Sequence, residues 1–389
     1  MKFSEISLED KERESLNLIL DFSRNVIADI DKQYKSEKPK FEEIPYIDLM
    51  VESYFSIQSF CVLIKEGLIS SASAILRIVL EQVSIVFLLS RNETAKKAFE
   101  EIKIEKQKYY SSDDAGKAII EADLLQNKNI KSHKIKQYFD YGWYKEAGCK
   151  GMNLKSICEA ANTSAVYDMV DVLLNEFAHG QRSIFQFHRQ NNGVDKWFIT
   201  SLHLYLLQLF FALVSATVHE YGESVFSKEN HNLITMTQAL HFDIRSRMSE
   251  RKLIDDLKKD DLSSYNTEHF LELIYQTMLL LDKAKDTREK YLLSQAYIRL
   301  VKQVITLDVY VKNRSKKPYD IDPINIGKLF GDYKPDLSGY HSNFVLPLDR
   351  LVEMLDMVDD DWGLGDNDID YAFTHCVTNL LEVLRIKND

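Results

Sequence analysis

The stretch Ala72-Ser-Ala-Ile-Leu-Arg-Ile-Val-Leu-Glu-Gln-Val-Ser-Ile-Val-Phe-Leu-Leu89 decides the fold. Apart from Arg77 and Glu81 it carries no charge. A helix apolar on nearly every face belongs in the middle of a bundle. The residues before it agree. Ile47 to Glu66 has strong helical patterning, Gly67 supplies a C-terminal stop, and Ser70 or Ser71 offers a cap for the next helix. Arg77 and Glu81 are four residues apart and share a helix face. A buried charged pair is expensive to desolvate, so these two either tie helices together or belong to a site.

Working outward, residues 4–33 alternate charged and apolar positions at helical spacing, and Lys32 to Pro45 reads as a polar linker. Thr94 to Tyr110 is a charged helix. Ser111-Ser-Asp-Asp114 caps another that ends near Gln126. A helix runs from Ala165 to His179 and stops at Gly180, and an apolar one from Trp197 to Tyr221. Further helices are expected at roughly 232–259, 262–284, 286–313 and 341–386. No proline lies between Pro45 and Pro318, which suits helices and not a turn-rich sandwich. The fold class is therefore all-α, a multi-helix bundle with a C-terminal helical extension. The polar junction Ser227–Asn232 places a boundary near residue 228, separating an N-terminal bundle over 1–228 from a C-terminal region over 229–389.

Composition narrows the function classes. The chain has 389 residues, 45% hydrophobic and 28% charged, enough for a full core. A net charge of −11 argues against an indiscriminate nucleic-acid coat but leaves room for a local basic patch. Cys61, Cys149, Cys158 and Cys376 are far apart and read as free thiols of a reducing cytosol. The acidic N-terminus lacks the apolar core of a signal peptide, so a cytoplasmic location is expected. Trp197 to Val218 is uncharged and long enough to span a bilayer. It contains Thr200, His203, Gln208 and Thr217 and has no uncharged counterpart elsewhere, so it reads as a buried helix rather than a membrane insertion. There is no phosphate loop, nucleophile elbow or His-Glu-x-x-His motif. The acidic run ending Asp366-Asn-Asp-Ile-Asp370 fails the calcium-loop template, with Tyr371 at the glycine position. No metal or cofactor is expected.

Two features point to chemistry. Lys128 to Lys155 holds seven lysines against two acids, interleaved with aromatic residues. Lys134, Lys136 and Lys145 would pair with phosphates, while Tyr138 and Trp143 would stack on bases. The other reading is a solvated loop anchored by its rings. The second feature is Asn175-Glu-Phe-Ala-His179-Gly180 at a helix end. Asn175 and His179 share a face, and an imidazole there can act as acid or base near neutral pH. An ordinary C-terminal histidine before a C′ glycine is the alternative.

This motif resembles the signature of the HEPN superfamily of helical domains, Arg-Asn-x-x-x-His. The stretch Gly67-Leu-x-x-Ser-Ala followed by Leu76-Arg77-x-x-x-Glu81 is similar to uncharacterised bacterial helical proteins with a later histidine. The similarity covers roughly residues 50–190. It implies a HEPN-like core and a metal-independent ribonuclease of the toxin–antitoxin and phage-defence kind, with a site formed across a homodimer. Carried over, His179 is the acid/base and Asn175 orients. The arginine of the pattern is Leu174 here, so positive charge falls to Arg182 or to Arg77, beside Glu81. The implied partners are RNA and a second copy of the chain. The alternative is a non-catalytic helical scaffold or regulatory protein that binds a protein partner.

Overall fold

A computed structural model describes residues 8–36, 44–128, 130–170, 196–258 and 267–314. Among them are twelve α-helices, three short 3-10 turns and no strand. The chain divides into two compact units, residues 1–234 and 235–389.

The first unit is organised by a helical hairpin. Helix α1 spans Asp10–Ser36, α2 Ile47–Lys65 and α3 Ile69–Ser90. Gly67 sits between α2 and α3 at φ +72°, where a side chain would be strained. Leu68, not a serine, occupies the N-cap of α3 without a side-chain cap. Its N–H instead bonds Leu63 O at 2.8 Å, so the hairpin corner itself satisfies the backbone. Helix α2 buries Met50, Tyr54, Ile57, Phe60, Cys61 and Ile64, the spacing of one helix face. Helix α3 buries most of its length. It packs on α2, and the later helix α9 (Lys196–Tyr221) packs on α3 in turn, while α1 closes against α2.

Helix α9 places polar residues at the heart of the bundle, and several of them bond to neighbouring helices. His203 Nε2 meets Ser15 Oγ at 3.1 Å. Thr217 meets Tyr54 at 2.8 Å, and Thr200 donates to Glu12. Glu220 accepts from Tyr46 and, at 3.0 Å, from Lys96. Among the described residues, three helices, α2, α3 and the Phe198–Tyr221 part of α9, are long and apolar enough to cross a membrane by length and composition. The sequence reading, which required an absence of charge, picked out only the last. Arg77 and Glu81 hide the signal in α3.

Helix α4 (Glu93–Ser111) lies beside α3, and α5 (Asp114–Gln126) packs on α4. Asn92 caps α4 by accepting from Ala95 N at 3.0 Å, and Asp113 caps α5 by accepting from Gly116 N at 2.8 Å. A compact run of short elements follows. It comprises a 3-10 turn (Ser132–Lys134), α6 (Ile135–Tyr141), a second turn (Gly142–Lys145), α7 (Leu154–Ala160) and α8 (Ser164–Met169). The helix expected over 165–179 is described only as far as α8.

Helix α10 spans Lys228–Lys258, α11 Thr267–Lys283 and α12 Thr287–Arg314. In the second unit, residues 292–301 of α12 are buried without interruption. Asp243 on α10 is fully buried and accepts from Arg299 at 2.7 Å and from Arg247 at 2.6 Å. The helix expected over 341–386 and the acidic run 356–370 lie outside the described residues, as does Cys376. Cys61, Cys149 and Cys158 are buried free thiols, and burial pushes their pKa values up.

Candidate functional site

Every fourth or third residue along one side of α3 is polar: Arg77, Glu81 and Ser84. This strip faces the short elements. Ser84 Oγ meets Thr163 Oγ1 at 2.8 Å and approaches Cys158 Sγ at 3.7 Å. Glu81 accepts a hydrogen bond from the Tyr141 hydroxyl, so it ties α3 to α6. Burial, the Glu81 carboxylate and Asp140 all raise the Tyr141 pKa, while Arg77 opposes them. The phenol therefore keeps its proton and remains a donor to Glu81. Arg77 and Glu81 are both half-buried. The inter-helix tie foreseen for this pair is made by Glu81 to a tyrosine.

Tyr141 belongs to the basic aromatic segment, whose architecture depends on its rings. Trp143 is fully buried. Its ring packs edge-on to Phe99 at 6.1 Å, and its indole donates to Asp140 O at 3.2 Å. Tyr138 is 6% exposed, and its hydroxyl donates to Glu105 at 2.9 Å. Gly142 is obligatory because a Cβ there would lie 2.5 Å from the Tyr138 ring. These two aromatic residues are core anchors, and their faces are covered. Stacking on bases would require faces open to solvent.

The lysines are distributed differently. Lys134, Lys136 and Lys145 are exposed. Lys128, Lys131, Lys134 and Lys145 line an open cleft of 740 Å³ between α4 and the short elements. Tyr138, Gln137 and Tyr144 also line it, whereas Lys136 and Trp143 do not. Lys128 is engaged by Glu105 at 2.9 Å and by the Tyr138 hydroxyl at 2.7 Å. Burial alone would lower its pKa, but these two bonds outweigh that and raise it. Among the described residues, no carboxylate is paired with Lys131, Lys134 or Lys145. Lys145 lies over the Tyr144 ring at 5.9 Å. Two acids, Glu101 and Glu146, share the lining, so the charges of the described lining residues sum to positive.

The structure thus gathers Lys134, Lys145 and Tyr138 at one cleft, and Arg77 and Glu81 on one strip of α3. Asn175, His179 and Arg182 lie outside the described residues. Sequence reasoning missed Lys131, Gln137 and Tyr144 as cleft residues, and Tyr141 as the partner of Glu81. The lysine density of residues 128–155 was the available signal for the first. Among the described residues, no three His, Cys, Asp or Glu side chains are grouped to hold a metal ion.

The strip on α3, the cleft and the unlocated motif all fall within one stretch of chain. Residues 43–195 match DUF5677, a family of unknown function. That DUF5677 region begins just before α2 and contains the hairpin, the basic segment and the Asn175–Gly180 motif, but neither α9 nor the second unit. Comparison with curated proteins and with solved structures yields no match.

Proposed function

We propose that the chain is an RNA-directed protein of the defence or toxin type, in which the DUF5677 region binds RNA and cleaves it without a metal. The observation carrying this reading is the open cleft lined by Lys131, Lys134 and Lys145, none of them paired with a carboxylate among the described residues. It lies within the same matched region as the Asn175–His179 motif. Unpaired ammonium groups at a cleft are suited to phosphate oxygens. His179 serves as acid/base, Asn175 orients the phosphate, and Arg182 or Arg77 supplies positive charge, with Glu81 beside Arg77. Such a site assembles between two copies of the chain in the cytoplasm, without a cofactor.

The test is expression of wild type and His179→Ala with total RNA examined. Fragmented RNA and slowed growth from wild type alone support the reading. Intact RNA with unchanged growth in both strains refutes it.

A second reading, a non-catalytic bundle that binds a protein partner, is favoured by Leu174 at the arginine position. Exposed apolar residues Phe55, Val62, Leu68 and Ile78 around the α2–α3 hairpin also favour it. Recovery of a stoichiometric protein partner lost on Phe55→Asp or Ile78→Asp, with RNA untouched, would select it.

A further inference from the structure

The cleft's groups divide into those already spent on the protein and those left for a ligand. Base edges are read by amides, guanidinium forks and exposed rings. Each of the two described amides in the lining has one of its two groups engaged within the protein, which removes the bidentate pairing that reads a base edge. Gln137 donates its side-chain N–H to Met152 O. Asn153 accepts from Ser156 N at 3.0 Å as the cap of α7. The Tyr138 hydroxyl is held between Lys128 and Glu105. Among the described residues, no arginine lines the cleft. Tyr144, the remaining lining ring, is half-buried with Lys145 over it. Three ammonium groups, Lys131, Lys134 and Lys145, remain without an ionic partner among the described residues. An ammonium is a compact point charge with rotatable donors, suited to phosphate and poor at discriminating bases.

We infer that this cleft holds the phosphate backbone of RNA with no sequence readout. Any preference for a cleavage position must then come from residues outside it. This inference rests on the RNA-directed reading above and specifies the ligand chemistry of its binding surface. Lys131 precedes and Lys134 ends one 3-10 turn, and Lys145 ends the other, so all three are carried on tight backbone turns rather than on a long helix. The anchors beneath, Trp143 and Tyr138, fix those turns to the core.

The test uses the full chain carrying His179→Ala, so that probes stay whole, and labelled 20-nucleotide oligo(U), oligo(A) and mixed-sequence RNA in anisotropy titrations from 50 to 200 mM salt. Three phosphate contacts predict a log Kd–log salt slope of about 2, hence roughly 20-fold weaker binding across that range. The three sequences should bind within about threefold of one another. Changing Lys131, Lys134 and Lys145 together to Gln should weaken binding at least tenfold and flatten the slope, and Lys145→Gln alone should give an intermediate slope. A sequence preference above tenfold, a slope near zero, or a triple variant that binds normally overturns the inference. Poly-glutamate binding as tightly as RNA also overturns it, in favour of an acidic protein partner. His179-dependent cleavage by wild type alongside normal binding by the triple variant retires the cleft but keeps the ribonuclease reading. Cleft-dependent binding with RNA left whole by wild type does the reverse.

Discussion

Replacing Trp143 by alanine separates a core ring from a base-stacking one. The side chain is fully buried, edge-on to Phe99, and its N–H is bonded to the Asp140 carbonyl. Truncating a buried tryptophan costs about 3–5 kcal/mol through lost burial and the cavity left behind. The orphaned Asp140 carbonyl adds to that. At about 1.36 kcal/mol per decade, amides of residues 135–158 should exchange roughly a hundred- to several-thousandfold faster than in wild type. Hydrogen exchange followed by peptide mass spectrometry reads this directly. Trp143→Phe keeps most of the packing and should show a much smaller increase. Unchanged exchange in Trp143→Ala together with a direct loss of RNA affinity would refute the argument, because the ring would then be doing its work at the surface.

Three further outcomes follow from the same geometry. Tyr141→Phe leaves Glu81 without its donor and should destabilise the α3–α6 contact by about 1.5–3 kcal/mol, read as faster exchange in both segments. Burial pushes the His203 pKa down to about 3 from an unfolded value of 6.5. The unfolded chain then binds more protons between those values, so the stabilisation is complete above pH 6.5 and is lost as pH falls toward 3. Unfolding free energies from urea titrations at pH 7 and pH 5 should differ by about 2 kcal/mol more in wild type than in His203→Gln. Asp243→Ala leaves Arg247 and Arg299 without their shared carboxylate and should destabilise the second unit by about 3–5 kcal/mol, whereas Arg299→Met should cost less if paired with Asp243→Leu. Thermal unfolding of the variants tests that order.

Much of the helical layout was legible because local chemistry marks helix ends. Gly67 and Gly222 both adopt positive φ just past a helix, and Asp113 caps the helix that its acidic cluster announced. Leu68 shows the limit. Two serines stood ready as caps, yet the tight corner bonded the backbone itself, a tertiary solution that leaves no mark in composition. The lysine-rich segment was visible as a charge run. Which rings turned inward was not visible, since Tyr138, Trp143 and Tyr144 are equally aromatic and only packing against α4 decides which of them are buried. Glu81 looked like half of an intrahelical pair because Arg77 stands four residues away. Its bond to Tyr141 spans 60 positions, a separation that periodicity does not report.

The position of α9 has a consequence for the order of synthesis. The helix that satisfies Ser15, Tyr46 and Tyr54 begins at Lys196, more than a hundred residues after the α2–α3 hairpin ends at Ser90. A ribosome adding roughly 5–20 residues per second therefore holds the hairpin without its covering helix for on the order of ten seconds. During that interval the nascent chain presents two helices apolar enough to span a bilayer, with the face that α9 later covers still open. The hairpin is thus exposed to aggregation before release, and slowing translation between residues 90 and 220 should lower the yield of folded protein more than slowing it after 221.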